Sequence, residues 1–184
     1  GKFVSGKNVE IFEKEYAKYI GTKYAVAVNS GTAAIHASLA SLGLKSGDEV
    51  IVPAISFVSS ATAILHQGCT PIFCDVNLEN YCLSAESLEK SITKKTKAII
   101  PVHFAGSACE MKKIVKIAKK YKLTIIEDCA QAHGTKYYGK KVGTFGTISC
   151  FSFYATKHMT TGEGGILCTD DKKIRDFCRS FRNH

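Results

Sequence analysis

Short β-rich runs alternate along this chain with segments whose apolar residues recur at helical period, the pattern of a largely parallel sheet covered by helices. Strands are predicted at Tyr24–Val28, Glu49–Val52, Pro71–Asp75, Ala98–Val102, Thr124–Asp128, Ile148–Phe151 and Gly165–Thr169. Helices are predicted at Ala33–Leu42, Val58–Gln67, Ser84–Thr93, Met111–Tyr121 and Lys172–Phe181. Only about a dozen residues separate CFSF from GGILCT, too few for the helical crossover that parallel pairing requires, so the final strand should run antiparallel. The expected class is α/β: a mostly parallel seven-stranded sheet with one antiparallel strand and helices on both faces. No repeat, low-complexity tract or proline-rich linker divides it, and one domain is expected.

Composition narrows the classes further. With 184 residues, 45% hydrophobic and 22% charged, the chain can bury one good core. No apolar run approaches the roughly 18 residues of a membrane span, and the opening GKFVSGKNVE lacks a signal peptide's apolar stretch. A cytoplasmic protein without a membrane partner is expected. The net charge of +9 raises nucleic-acid binding, yet the lysines are spread over helix-like segments such as MKKIVKIAKKYKL, where they form a solvated face. No nucleic-acid partner is therefore expected, and the surplus also suits an anionic small substrate. The cysteines at 69, 74, 82, 109, 129, 150, 168 and 178 contain no CxxC pair and mostly sit in apolar runs. They read as reduced, buried, small hydrophobes, none of them a metal ligand.

Four clusters could carry chemistry. Asn29-Ser30-Gly31-Thr32-Ala33-Ala34 follows a strand and opens a helix, where unpaired N–H groups favour a phosphate. The same segment also reads as an ordinary turn with Ser30 or Thr32 as N-cap. IIEDCAQAHG ends a buried strand in Glu127 and Asp128, with Gln131 and His133 following. Polar residues there lie at the crevice where open α/β sheets bind ligands, and an aspartate can pair with a protonated pyridine nitrogen; a loop N-cap is the competing role. His133 reads as a structural histidine. CFSFYATKHMTTGEGGILCT presents Lys157 in a loop between Ser152 and the pair Gly164 and Gly165. A lysine in a partly desolvated loop can attack an aldehyde and move protons, though a single lysine is usually a solvated charge. VPAISFVSSATA places Phe57 in the loop before a helix, available either to stack on a flat ring or to pack in the core.

Taken in this order, GTAA, GDEVIVPAISF, IIEDCAQAHG and FSFYATKHMTTGEGG resemble the DegT/DnrJ/StrS family of sugar aminotransferases. These depend on pyridoxal 5'-phosphate (PLP) and have the aspartate aminotransferase type of fold, fold type I. The resemblance runs from FVSGKNVEIFEKEYAKYIGTKYAVAVNSGTAA to RSFRNH. It implies that Lys157 is the Schiff-base lysine and acid/base, that Asp128 pairs with the pyridine nitrogen, and that Gln131 contacts the phenolic oxygen. It further implies that Phe57 stacks on the ring and that Gly31, Thr32 and Ser152 hold the phosphate. L-glutamate is the implied amino donor and a nucleotide-linked ketosugar the acceptor, for polysaccharide or glycan biosynthesis.

Sugar dehydratases of the same family carry histidine where this chain has Lys157, which favours the aminotransferase over a dehydratase or a catalytically silent regulator. TKHMTTGEGG looks more like enzymes that aminate C4, on a 4-keto-6-deoxy sugar, than those that aminate C3. Family members are roughly twice as long. Residues 1–184 are thus expected to be the PLP-binding large domain, without the family's N-terminal segment and C-terminal small domain. The family's active sites form between two subunits, so a homodimer is expected of the full-length protein, and this segment alone should be inactive or nearly so.

Overall fold

Strand residues alternate between two faces, and the sequence supplies apolar side chains to both, so helices must cover the sheet twice. The structure, a computed structural model, describes residues 6–183. Its helices are α1 (Lys7–Ile20), α2 (Gly31–Ala40), α3 (Ser59–His66), α4 (Ala85–Ser91), α5 (Met111–Tyr121) and α6 (Lys172–Asn183). The main strands are β1 (Tyr24–Val28), β2 (Glu49–Pro53), β3 (Thr70–Cys74), β4 (Thr96–Ile99), β5 (Thr124–Asp128), β8 (Ile148–Ser152) and β9 (Gly165–Thr169). A two-stranded hairpin, β6 (Lys136–Tyr137) and β7 (Lys140–Lys141), lies between β5 and β8.

The seven main strands form one sheet in the order β1-β9-β8-β5-β4-β2-β3. Strand β9 runs antiparallel to both neighbours, while the remaining pairings are parallel. The expected class, including the reversed last strand, is therefore found. Val50 and Val52 of β2 face one core with Ala34 and Ile35 of α2, Ile64 of α3 and Cys178 of α6. Ile51, between them, faces the other core with Leu88 of α4 and Ile114 of α5. Tyr16, Ala17 and Ile20 of α1 close a third cluster over Phe151 and Cys168.

Three features depart from the sequence reading. Helix α1 was not among the predicted elements, although its buried Glu13, Tyr16, Ala17 and Ile20 recur at helical spacing. A buried glutamate in that stripe weakens the apolar signal; Arg179 and Arg182 of α6 pair with it at 2.8 and 2.6 Å. The β6–β7 hairpin turns on Tyr138 and Gly139, both at positive φ, and a tyrosine there is no turn signal. Strand β4 ends earlier than predicted because the ladder becomes irregular, continuing through Ile100 N–H to the Ile51 carbonyl and an isolated bridge between Val102 and Asp128. All eight cysteines are free and buried, as expected.

Candidate active site

Parallel strands end together, so β5 and β8 deliver Asp128 and Ser152 to one edge of the sheet beside the start of α2. There Ser30 caps α2, its hydroxyl accepting from Ala33 N–H at 3.1 Å. The N–H groups of Gly31 and Thr32 are left without an acceptor among the described residues. A Cβ on Gly31 would lie 2.8 Å from the Ser152 Cβ, so only glycine lets α2 come this close to β8. A Cβ on Gly165 would overlap the Ser30 carbonyl, which gives the last glycine of GEGG a steric reason as well.

A cavity of about 300 Å³ opens at this edge, and Gly31, Thr32, Phe57, Asp128, Gln131, Ser152 and Lys157 all line it. The seven residues that the family resemblance assigns to the cofactor therefore meet at one place. Phe57 stands exposed at the mouth, not in the core. Lys157 is half-buried in the loop that leaves β8, its N–H bonded to the Tyr154 carbonyl at 2.9 Å. Gln131 accepts the Ala105 N–H through Oε1 at 2.7 Å, which turns its NH2 donors to other use. A larger groove of about 680 Å³ lies between α4 and α5, but Glu86, Glu89, Glu110, Lys113 and Lys120 on its walls are already engaged in ion pairs across and beside it.

Asp128 is nearly sealed, 4% exposed. Burial pushes its carboxyl above the ordinary value, against the opposing pull of Ala130 N–H, the Ser60 hydroxyl, His103 and Lys157. His133 is held on both ring nitrogens, by the Tyr16 hydroxyl at 2.8 Å and the Ser152 carbonyl at 2.8 Å. A carbonyl only accepts, so Nε2 carries the proton and Nδ1 accepts from Tyr16. Burial lowers the His133 pKa and raises that of Tyr16, which keeps both neutral in this relay. The structural reading of His133 holds.

The family model for DegT/DnrJ/EryC1/StrS aminotransferases matches residues 1–184. This chain belongs to the DegT/DnrJ/EryC1/StrS aminotransferase family. It is 48% identical over 177 residues to GDP-perosamine synthase of Escherichia coli O157:H7, covering 96% of this chain and 49% of that protein. It is 42% identical over 183 residues to the UDP-N-acetyl-3-dehydro-alpha-D-glucosamine 3-aminotransferase of Acidithiobacillus ferrooxidans, covering 99% of this chain and 50% of the relative. Among solved structures, NtdA of Bacillus subtilis with bound cofactor PMP superposes with a TM-score of 0.95 at 39% identity, over 100% of this chain and 42% of NtdA. The chain spans about half the length of the curated relatives it matches. PLP is the cofactor of this family of aminotransferases, whose fold type I architecture this chain shares.

Sequence reasoning grouped Glu127 with Asp128, but neighbours on a strand point to opposite faces. In this member of the aminotransferase family Glu127 faces away from the cavity. It accepts N–H groups of Gly143, Phe145 and Gly146 at 2.6 to 2.7 Å and faces His103 Nε2 at 3.0 Å. His103 Nδ1 accepts the Cys109 N–H at 3.1 Å. Glu127, His103 and Cys129 lie close enough to hold a metal ion. Those bonds occupy the roughly four acceptor positions of the carboxylate and both imidazole nitrogens, leaving no lone pair for one. The sequence reading also passed over Ser60, which is buried and donates to Asp128 Oδ2 at 2.9 Å.

Proposed function

We propose that this chain is the cofactor-binding large domain of a nucleotide-sugar aminotransferase that uses PLP, transferring an amino group from L-glutamate to a nucleotide-linked ketosugar. The observation that carries the reading is the convergence of Gly31, Thr32, Phe57, Asp128, Gln131, Ser152 and Lys157 on one cavity. The donor set suits the group. Two unpaired N–H groups and the Ser152 hydroxyl suit a phosphate, the free NH2 of Gln131 suits an anionic phenolic oxygen, and a buried carboxylate suits a protonated ring nitrogen.

Bound there, PLP supplies an electron sink for carbanion character at the substrate. Gly31, Thr32 and Ser152 would hold its phosphate, Asp128 its ring nitrogen, Gln131 its phenolic oxygen and Phe57 its ring face. Lys157 Nζ would hold its aldehyde and, once displaced by the amino donor, would take a proton from the donor's α-carbon and deliver it to the cofactor carbon that had been the aldehyde. Asp128, kept dry by burial, would meet the ring nitrogen without competition from water.

Amination at C4 of a 4-keto-6-deoxy sugar, for a surface polysaccharide or similar glycan, is the preferred outcome on the strength of TKHMTTGEGG. The relative named as a 3-aminotransferase keeps C3 as the second reading. NMR of the product made from each ketosugar separates them. The complete enzyme works as a cytoplasmic homodimer, a reading supported by the exposed Ile55, Phe57 and Val58 beside the cavity mouth. Among the described residues no helix is long and apolar enough to cross a membrane.

The full-length protein loaded with PLP should show an absorbance band near the visible edge that Lys157→Ala abolishes. An unchanged band in that variant would overturn the assignment. L-glutamate should convert the band to that of the amine form, which a dehydratase does not require.

A further inference from the structure

Asp128 is supported on both oxygens: Oδ1 accepts the Ala130 N–H at 3.0 Å, and Oδ2 accepts the Ser60 hydroxyl at 2.9 Å. The first donor is backbone, present for any residue but proline at 130. The second is a side chain carried by α3, a different element, and it is fully buried. Ser60 has one proton, and a carboxylate can only accept, so that proton is committed to Asp128. The 2.7 Å contact between the Ser56 and Ser60 hydroxyls must then run from Ser56 as donor to Ser60 as acceptor. Ser56 lines the cavity and Ser60 does not, so the chain of hydroxyls runs one way, from the cavity wall to the aspartate. Hydrogen bonds in such a row polarise one another, which strengthens the last of them.

We propose that Ser60, oriented by Ser56, is a positioning residue that keeps Asp128 ionised and aimed at the cavity, and so sets the protonation of a pyridine nitrogen bound opposite it. The need for such a device follows from burial. An isolated carboxylate in this place would take up a proton sooner than remain charged, and a neutral acid cannot hold a pyridinium. The other ionisable groups around Asp128 are His103, Lys157 and the thiols of Cys129 and Cys150. His103 is engaged by Glu127 and the Cys109 N–H, both thiols are kept protonated by burial, and Lys157 is committed to the cofactor. Ser60 is the hydroxyl donor to the carboxylate among the described residues.

The inference rests on the PLP reading, and the experiment separates the two. In full-length protein loaded with PLP, the pH midpoint of the visible absorbance band is measured for the unaltered enzyme, Ser60→Ala, Ser60→Thr and Ser56→Ala. A less ionised Asp128 leaves the ring nitrogen less protonated. The proton on the Lys157 nitrogen is then held more tightly, so the midpoint moves up. Ser60→Ala should raise it by about one pH unit or more, the scale on which a hydrogen bond to a charged group acts. Ser60→Thr, which restores the hydroxyl, should return it toward the starting value. Ser56→Ala should move it in the same direction by less, and this variant on the cavity wall decides the matter if Ser60→Ala does not fold. A purely structural Ser60 would lower the melting temperature and leave the midpoint in place. Unshifted midpoints in the folded variants, with a band that Lys157→Ala still abolishes, would overturn the Ser60 role alone. A band that survives Lys157→Ala would overturn the PLP reading itself.

Discussion

Glu127 and Asp128 are adjacent on β5, both acidic and both buried, yet they do opposite things. Glu127 points into a pocket of donors that fills its acceptor positions with three loop N–H groups and one imidazole. Asp128 points to the cavity with one donor on each oxygen. The first carboxylate closes its surroundings and has nothing left to offer a ligand. The second keeps lone pairs facing a cavity and is held above its ordinary pKa by burial. A buried acid whose bonds are complete is part of the scaffold, and one with acceptor capacity left toward a cavity is where chemistry can occur.

The contrast is broken most sharply by removing the saturated member. Glu127→Ala leaves four donors unpaired, His103 among them, and should cost about 3–5 kcal/mol of stability, read from denaturant melts. If melts of this variant match the unaltered protein, Glu127 is not scaffold. Asp128→Asn should behave in reverse, folding with near-normal stability while the full-length enzyme loses at least about a hundredfold in transamination rate. Equal losses of stability from the two substitutions would erase the distinction.

Gly31→Ala tests the approach of α2 to β8, since the added methyl must push Ser152 or the helix aside. A loss of about 1–3 kcal/mol is expected together with weaker phosphate affinity, measured by PLP titration of the full-length protein. The smallest effect is a pH dependence. His133 has its pKa lowered from 6.5 in the folded state, so unfolded chains bind more protons just below that value. Its contribution to stability is therefore full above 6.5 and is lost as the pH falls toward the folded pKa. Melting of the cofactor-free protein through that window should flatten in His133→Asn, and an unchanged profile would remove His133 from the relay.

Much of this was legible along the chain. Strand runs, the reversed last strand and the motif order were carried by local patterning, because periodicity and turn residues act within a few positions. Helix α1 was hidden by Glu13, whose burial makes sense only once Arg179 and Arg182 arrive from the far end of the chain. The Ser60 contact spans 68 positions, and nothing local marks one serine of FVSSATA above its neighbours.

The sequence by itself determined the elements, the class of sheet and the roster of residues with chemical potential, because side-chain type and spacing are local properties. Only the tertiary structure decided which of two adjacent acids faces the cavity, which oxygens are already taken, and that Ser60 stands behind Asp128. Those depend on which distant donors the packed sheet brings within about 3 Å, a question of three-dimensional contact that no window of sequence contains.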